Sequence, residues 1–361
     1  MKKIPVANPS IGRSEIKAVK RVLKSGLLAQ GSEVASFEIE FSGLVENREC
    51  VAVNSGTSAL HVALLSLGVG AGDEVIVPSF TFAATANSVA LTGATPVFVE
   101  INPRTYCIDP DAIERAITSK TRAIQVVHLY GLPAEMPRIM NIAARHNLLI
   151  IEDSAQAHLA TINSKSVGTF GDAAAFSFYP TKNMTSGEGG MIVFKDSSAA
   201  RVARLLRNQG MEKRYENEIV GFNLRMTDIH ASIGRAQLAK LKERTLIRQE
   251  NASFLSEKLR GVLEVPFVPE GYSHVFHQFT IKLDSNREIF SESLLNGGVM
   301  TGVYYPTPVH RLAPFRSNLV LPITDEVSKR VLSLPVHPKL TKRQLLRIVS
   351  EVKRANSDNP R

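Results

Sequence analysis

Nearly unbroken apolar runs alternate, from about residue 50 to residue 195, with stretches in which apolar residues return every three or four positions. The runs at 50–54 (CVAVN), 74–80 (EVIVPSF), 95–101 (TPVFVEI), 123–131 (AIQVVHLYG), 147–153 (NLLIIED), 174–179 (AAFSFY) and 189–194 (GGMIVF) predict strands. They lack apolar–polar alternation, the pattern of strands covered on both faces. Between several of them the period is helical. A segment starting at Thr57 sets Leu60, Ala63, Leu64 and Leu67 on one face, and 133–147 turns Ile139, Ile142 and Ala143 inward. Strands and helices in alternation predict an α/β domain with a mostly parallel central sheet between helical layers.

The pattern changes after Gly221. Residues 228–259 read as one long, charged helical connector. Residues 260–361 mix short strands such as 277–283 (HQFTIKL) with helices such as 341–354, the mark of a smaller α+β domain. The expected division is 1–245 for a large domain carrying an N-terminal arm and 246–361 for a small one. That suits 361 residues of which 44% are hydrophobic. GVGAGD at 68–73 follows a helix and precedes a strand, the reverse of a dinucleotide-binding loop, and so reads as a turn. The last residues, RANSDNPR, are expected to fray.

The N-terminal residues lack the apolar core of a signal peptide, and the apolar runs are too short for a membrane span. Cys50 and Cys107 make neither a disulfide framework nor a CxxC metal motif. A cytoplasmic protein without a metal or membrane partner is expected. Lys and Arg exceed Asp and Glu by 43 to 34, a net charge of +9, but the excess is spread through helices with no nucleic-acid motif beside it. No nucleic-acid partner is expected, and a basic pocket for an anionic small molecule suits the charge at least as well.

The chemistry gathers at strand ends, where ligands collect in open parallel sheets. After CVAVN come Ser55, Gly56, Thr57 and Ser58 at a helix start. They can cap the helix, or they can form a phosphate cup from free N–H groups, hydroxyls and the positive helix end. Asp153 closes the run NLLIIED, where a carboxylate can cap, bridge, or partner a protonated ring nitrogen. Lys182 stands between FSFYP and the small residues of TSGEGG, an unusual place for a solubilising charge. Phe82, in PSFTFAAT, is either a core residue or a stacking platform. A phosphate cup, a strand-end carboxylate, a lysine after a later strand and an aromatic platform are what pyridoxal phosphate needs. The lysine supplies the Schiff base and the carboxylate keeps the pyridine nitrogen protonated. His274 and His277 have metal-like spacing but no further ligand nearby, and read as structural.

With these motifs in view, the chain resembles the DegT/StrS-type sugar aminotransferases, of the fold-type I pyridoxal phosphate class. The resemblance covers nearly the whole length. It runs through LKSGLLAQGSEVASFE, NSGTSALHVAL, PSFTFAATANSV, VVHLYGLPAEM, IEDSAQAH, GTFGDAAAFSFYPTKNMTSGEGGMIV, GFNLRMTDIHASIGRAQL, YYPTPVH and SLPVHPKLT. It implies Lys182 as the Schiff-base lysine, Asp153 as the partner of the ring nitrogen and Phe82 as the stacking ring. Gln156 is implied on the cofactor's other side, and Gly56, Thr57 and Ser58 with Ser177 at its phosphate. It implies that Asn223 reaches the phosphate of a neighbouring subunit, so that a homodimer shares its active sites. His310, after YYPTPV, is a candidate substrate contact or a structural histidine. Two departures stand out: Leu159 follows His158 where the family often has glycine, and SGLLAQG replaces a segment that often carries tryptophan. The second alters the wall of the substrate pocket.

The implied reaction moves an amino group from an amino acid, glutamate being expected, to a keto sugar on a nucleoside diphosphate, in amino-sugar biosynthesis. A cyclitol or another keto compound is an alternative acceptor. A non-catalytic regulator on the same fold is the alternative of a different class. Related dehydratases replace the lysine by histidine, and Lys182 argues against that chemistry.

Overall fold

The computed structural model describes residues 3–358. Seven strands form one sheet: β1 (Glu49–Val53), β2 (Glu74–Pro78), β3 (Thr95–Val99), β4 (Thr121–Val127), β5 (Leu149–Asp153), β6 (Ala173–Ser177) and β7 (Gly190–Phe194). Their order is β1-β7-β6-β5-β4-β2-β3. Neighbours from β3 across to β6 run parallel, and β7 is antiparallel to both β1 and β6. The mostly parallel sheet is as expected, and each expected strand is present. Six of the seven are shorter than their apolar runs. The fourth stops at Val127 because Tyr130, at φ 59°, and Gly131, at φ 97°, turn the chain through left-handed backbone.

Helices α1 (Arg13–Ser25) and α2 (Ser32–Ser42) precede the sheet. Then come α3 (Gly56–Ser66), α4 (Ala84–Ala90), α5 (Pro110–Ala116), α6 (Met136–His146) and α7 (Ser197–Arg207) between or after its strands. Alternate residues of each strand feed opposite layers. Val75 and Val77 pack with Leu60, Ala63 and Leu64 of α3, whereas Ile76 packs with Ile139, Ile142 and Ala143 of α6. The faces expected for α3 and α6 are therefore the buried ones. GVGAGD is the turn between α3 and β2, with Gly68 and Gly72 at positive φ.

Residues 228–259 are not one helix. The chain breaks at Ala239–Lys240 into α8 (Asp228–Leu238) and α9 (Leu241–Leu259). Leu241 packs in the core beneath β1, β6 and β7, while Ala252, Leu255 and Leu259 enter the C-terminal core. Charge periodicity runs through the break, so only packing reveals it. The C-terminal core holds the antiparallel pair β8 (Phe279–Lys282) and β9 (Val331–Leu334) against α9, α10 (Arg287–Asn296) and α12 (Lys342–Asp358), with α11 (Pro322–Arg330) leading into β9. Ile4 of the N-terminal arm packs there too. We propose a division near residue 245, with α9 shared by both units. The expected frayed tail is corrected in part. Residues 354–358 continue α12, where Ala355 is buried in the core, and the rest lies outside the described residues. Among the described residues no helix is long and apolar enough to cross a membrane.

Candidate active site

The chain leaves β2 toward β3 on one side and leaves β4 toward β5 on the other. The loops after β2 and β4 therefore part, opening a crevice at the strands' carboxyl ends. Asp153, the last residue of β5, lies there with 6% of its surface exposed. Thr85 of α4 donates its hydroxyl to Asp153 Oδ2 at 2.9 Å, and Ala155 N–H donates to Oδ1 at 3.2 Å. Burial pushes the Asp153 carboxyl above its ordinary range, against the pull of these bonds and of the Lys182 charge.

Lys182 sits in a loop that folds back on the end of β6. Lys182 N–H donates to Tyr179 O, Ser186 N–H to Phe178 O, and the Thr185 hydroxyl to Phe178 O. Gly187, at φ 88°, permits that return. Among the described residues no hydrogen bond holds Lys182 Nζ. Burial pulls its ammonium down to about 8, and Asp153 opposes the shift. An amine that is partly neutral near physiological pH can act as nucleophile and base.

The segment Ser55–Ser58 starts α3, and the cap that its sequence allows is present. Ser55 caps α3, accepting Ser58 N–H at 3.1 Å. The first-turn N–H groups of Gly56 and Thr57 are left over. A Cβ at Gly56 would lie 2.7 Å from Ser177 Cβ, so the helix start presses directly on the end of β6. This gathers Gly56, Thr57, Ser58 and Ser177 at one spot.

Phe82 is 57% exposed, whereas Phe80 is wholly buried, so Phe82 is not a core residue. Its ring lies 5.8 Å from that of Tyr305, tilted by 35°. Gln156 accepts Tyr130 N–H at 2.7 Å and donates to the Tyr305 hydroxyl at 3.1 Å. One amide thus ties the turn after β4, the loop after β5 and the C-terminal segment together. Burial pushes the Tyr305 hydroxyl above its ordinary range, with the charge of Asp153 adding to the effect.

Two groups escaped sequence reasoning for lack of any local signal: Tyr305, within the quoted YYPTPVH, and Thr85. A third is the buried pair Glu152–His128, 3.0 Å apart. Glu152 also accepts N–H groups of Gly168, Phe170 and Gly171, and His128 Nδ1 accepts Ala134 N–H. The pair fixes the end of β4 beside Asp153, whose carbonyl accepts His128 N–H.

Two expected residues are not brought into this group by a single chain. Asn223 is exposed, in a backbone bridge to Asn208. His310 is wholly buried, with Nδ1 2.5 Å from Ser79 Oγ and Nε2 3.6 Å from Asp325. Its contacts are those of a strut between the loop after β2 and α11. His274 stacks on Phe276, its ring centroid 4.0 Å away, and no group of metal-ligating side chains occurs among the described residues.

The family model for the DegT/DnrJ/EryC1/StrS aminotransferases matches residues 9–353. The chain is 42% identical to a UDP-N-acetyl-3-dehydro-alpha-D-glucosamine 3-aminotransferase of Acidithiobacillus ferrooxidans, over 95% of this chain and 94% of the relative. Its fold superposes with a TM-score of 0.95 on DesV of S. venezuelae, solved in complex with a ketimine intermediate, at 37% identity over 99% of both chains. It superposes with a TM-score of 0.93 on NtdA of Bacillus subtilis with bound cofactor PMP, at 32% identity over 99% of this chain and 86% of the other. A chain with this sheet, this strand-end carboxylate and this lysine belongs to the DegT/DnrJ/EryC1/StrS aminotransferase family.

Proposed function

We propose that this aminotransferase uses pyridoxal phosphate to carry an amino group from L-glutamate to a keto sugar borne on a nucleoside diphosphate, for amino-sugar biosynthesis. The observation that carries this is the buried Lys182 amine, without a hydrogen bond among the described residues and within reach of the charge of the buried Asp153. The exposed Phe82 ring lies three residues before the Thr85 that bonds Asp153. The chain's own groups fit the cofactor. Gly56, where a side chain would strike Ser177, lets a phosphate approach the backbone, with Thr57, Ser58 and Ser177 adding hydroxyls. Phe82 offers a face for the ring, and Gln156 stands ready beside it. When bound, the cofactor supplies a carbonyl that condenses with amines and a protonated ring that withdraws electrons.

In the mechanism, Asp153 would keep the cofactor's ring nitrogen protonated, and Thr85, which donates to Asp153 Oδ2, would hold the carboxylate in place. Lys182 Nζ would hold the cofactor at its carbonyl carbon, and as a free amine it would take a proton from the substrate carbon and return it. Its depressed proton affinity suits both roles. Small residues around Lys182 leave room for two substrates in turn.

A homodimer with shared sites is supported by surface that is apolar and uncovered. Ile11, Ile16 and Leu23 on and beside α1 are each more than half exposed, over a groove that adjoins Pro180 and Thr185 of the lysine loop. Val220 and Phe222 stand out beside Asn223. We assign Asn223 to the partner subunit's cofactor phosphate and His310 to a structural role. The excess of positive charge suits a diphosphate-bearing acceptor, and the free, buried Cys50 and Cys107 suit a cytoplasmic enzyme.

The test is an absorbance spectrum of the purified protein before and after glutamate. A cofactor band that shifts with glutamate, returns with a nucleotide keto sugar and is missing in Lys182→Ala is the expected result. Binding of the cofactor with no response to glutamate would overturn the donor, and no binding at all would overturn the cofactor.

A further inference from the structure

Helix α9 carries two arginines one turn apart, Arg244 and Arg248, on the side of the cleft where Lys182 lies. Arg248 is 8% exposed. Its guanidinium has no carboxylate partner among the described residues. NH1 reaches Phe276 O at 3.4 Å and Nε has no acceptor. Arg244 is little better provided, donating to Gln237 Oε1 at 2.6 Å and to Ser10 O at 3.2 Å. Glu15, the buried acid whose charge reaches Arg244, is already engaged by Gln237 and Lys240, both at 2.7 Å. The other titratable groups near Arg248 are His277, His337 and Lys182, none of which can carry a negative charge; burial keeps both histidines below their ordinary range.

A buried guanidinium without an anion is costly, and Arg248 has a like charge one turn away that adds to the cost. A chain keeps such a group where a ligand completes it. The slot these side chains line is narrow, about 20 Å³, and Lys182, Asn183, Ser10 and Gln237 share its walls. That is room for about one water-sized group, which suits a compact anionic head such as a carboxylate.

We propose that Arg248, reinforced by Arg244, receives a carboxylate of the amino donor beside Lys182. This rests on the aminotransfer reading above and adds to it the group that selects an amino acid.

The experiment is calorimetric titration of the cofactor-loaded protein with glutarate, a dicarboxylate that cannot transaminate, in wild type, Arg248→Gln, Arg248→Lys and Arg244→Gln. Arg248→Gln is expected to weaken glutarate roughly 10- to 100-fold, the worth of a hydrogen-bonded charge pair. Arg248→Lys is expected to fall between it and wild type, and Arg244→Gln, on the rim, to lose several-fold. The melting temperature of Arg248→Gln should equal or exceed that of wild type, because an unpaired buried charge is removed. Unchanged glutarate affinity in Arg248→Gln, or wild type that binds no glutarate yet responds to glutamate, would overturn the proposal. If Arg248→Gln does not fold, unchanged affinity in both other variants overturns it. Failure of the wild type to load cofactor strikes the aminotransfer reading instead, and the loading spectrum taken beforehand separates the two.

Discussion

Thr85 Oγ1 donates to Asp153 Oδ2 at 2.9 Å, joining the helix after β2 to the end of β5. Thr85 is itself bonded to Thr81, 3.0 Å away, so its hydroxyl hydrogen is directed rather than free to rotate. The carboxylate proposed to hold the cofactor's ring nitrogen is oriented by a residue 68 positions earlier.

Thr85→Val removes that donor and leaves the shape nearly intact. Cofactor affinity is expected to fall about 10- to 100-fold, the worth of one hydrogen bond to a charged group. Thr85→Ser should restore most of it. Titrating apoprotein with pyridoxal phosphate by absorbance checks both, and equal affinity in all three proteins would remove Thr85 from the site.

The Lys182 ammonium titrates near pH 8 because burial disfavours its charge. Only the neutral amine attacks the cofactor carbonyl. Capture of pyridoxal phosphate by apoprotein should therefore speed up by about tenfold per pH unit below that point and level off above it. Stopped-flow absorbance from pH 6 upward reads this directly. A plateau reached only near the ordinary lysine range would show that burial does not tune the amine.

A methyl group at residue 56 meets Ser177 Cβ at 2.7 Å. Gly56→Ala is expected to cost about 1–3 kcal/mol of stability through overpacking, and to weaken cofactor binding by moving the start of α3. Combining it with Ser177→Gly relieves the clash, so thermal melting of the double variant should recover part of the loss. Additive losses in the two single variants and the pair would separate these residues.

Glu15 is buried against Gln237 and Lys240. Burial alone would raise its carboxyl, but Lys240 and the N–H groups beside it hold it at about 2, below an ordinary 4.5. A depressed folded value contributes stability that is present above pH 4.5 and lost as pH falls toward 2. Melting temperature measured across that window should drop more in wild type than in Glu15→Gln. At neutral pH the variant should be weaker by about 1–2 kcal/mol.

A site shared between subunits can be tested by mixing. Lys182→Ala and Asn223→Ala homodimers should each turn over poorly, and hybrids formed by subunit exchange should regain activity, since one of their two sites is intact. No recovery after confirmed exchange would place Asn223 at its own subunit's cofactor.

Much of this protein was determined by local pattern. Unalternating apolar runs specify buried strands, and each expected strand of the sheet is there. The end of an apolar run marks the end of its strand to within a few residues, which places Asp153, Ser55–Ser58 and Lys182 toward one edge of the sheet. Phe82 could not be told from Phe80 by sequence: both are aromatic and two residues apart, and only packing buries one and uncovers the other. The tertiary structure alone decided which distant side chains meet. Thr85 at Asp153 and Gln156 between Tyr130 and Tyr305 are contacts between distant segments, and Arg248 and Lys182 come to line one slot. Hydrogen bonds and buried charges act over a few ångströms of space whatever the separation in sequence, so no local periodicity records them. The break at Ala239–Lys240 and the burial of His310 have the same origin, since each is set by what packs against it.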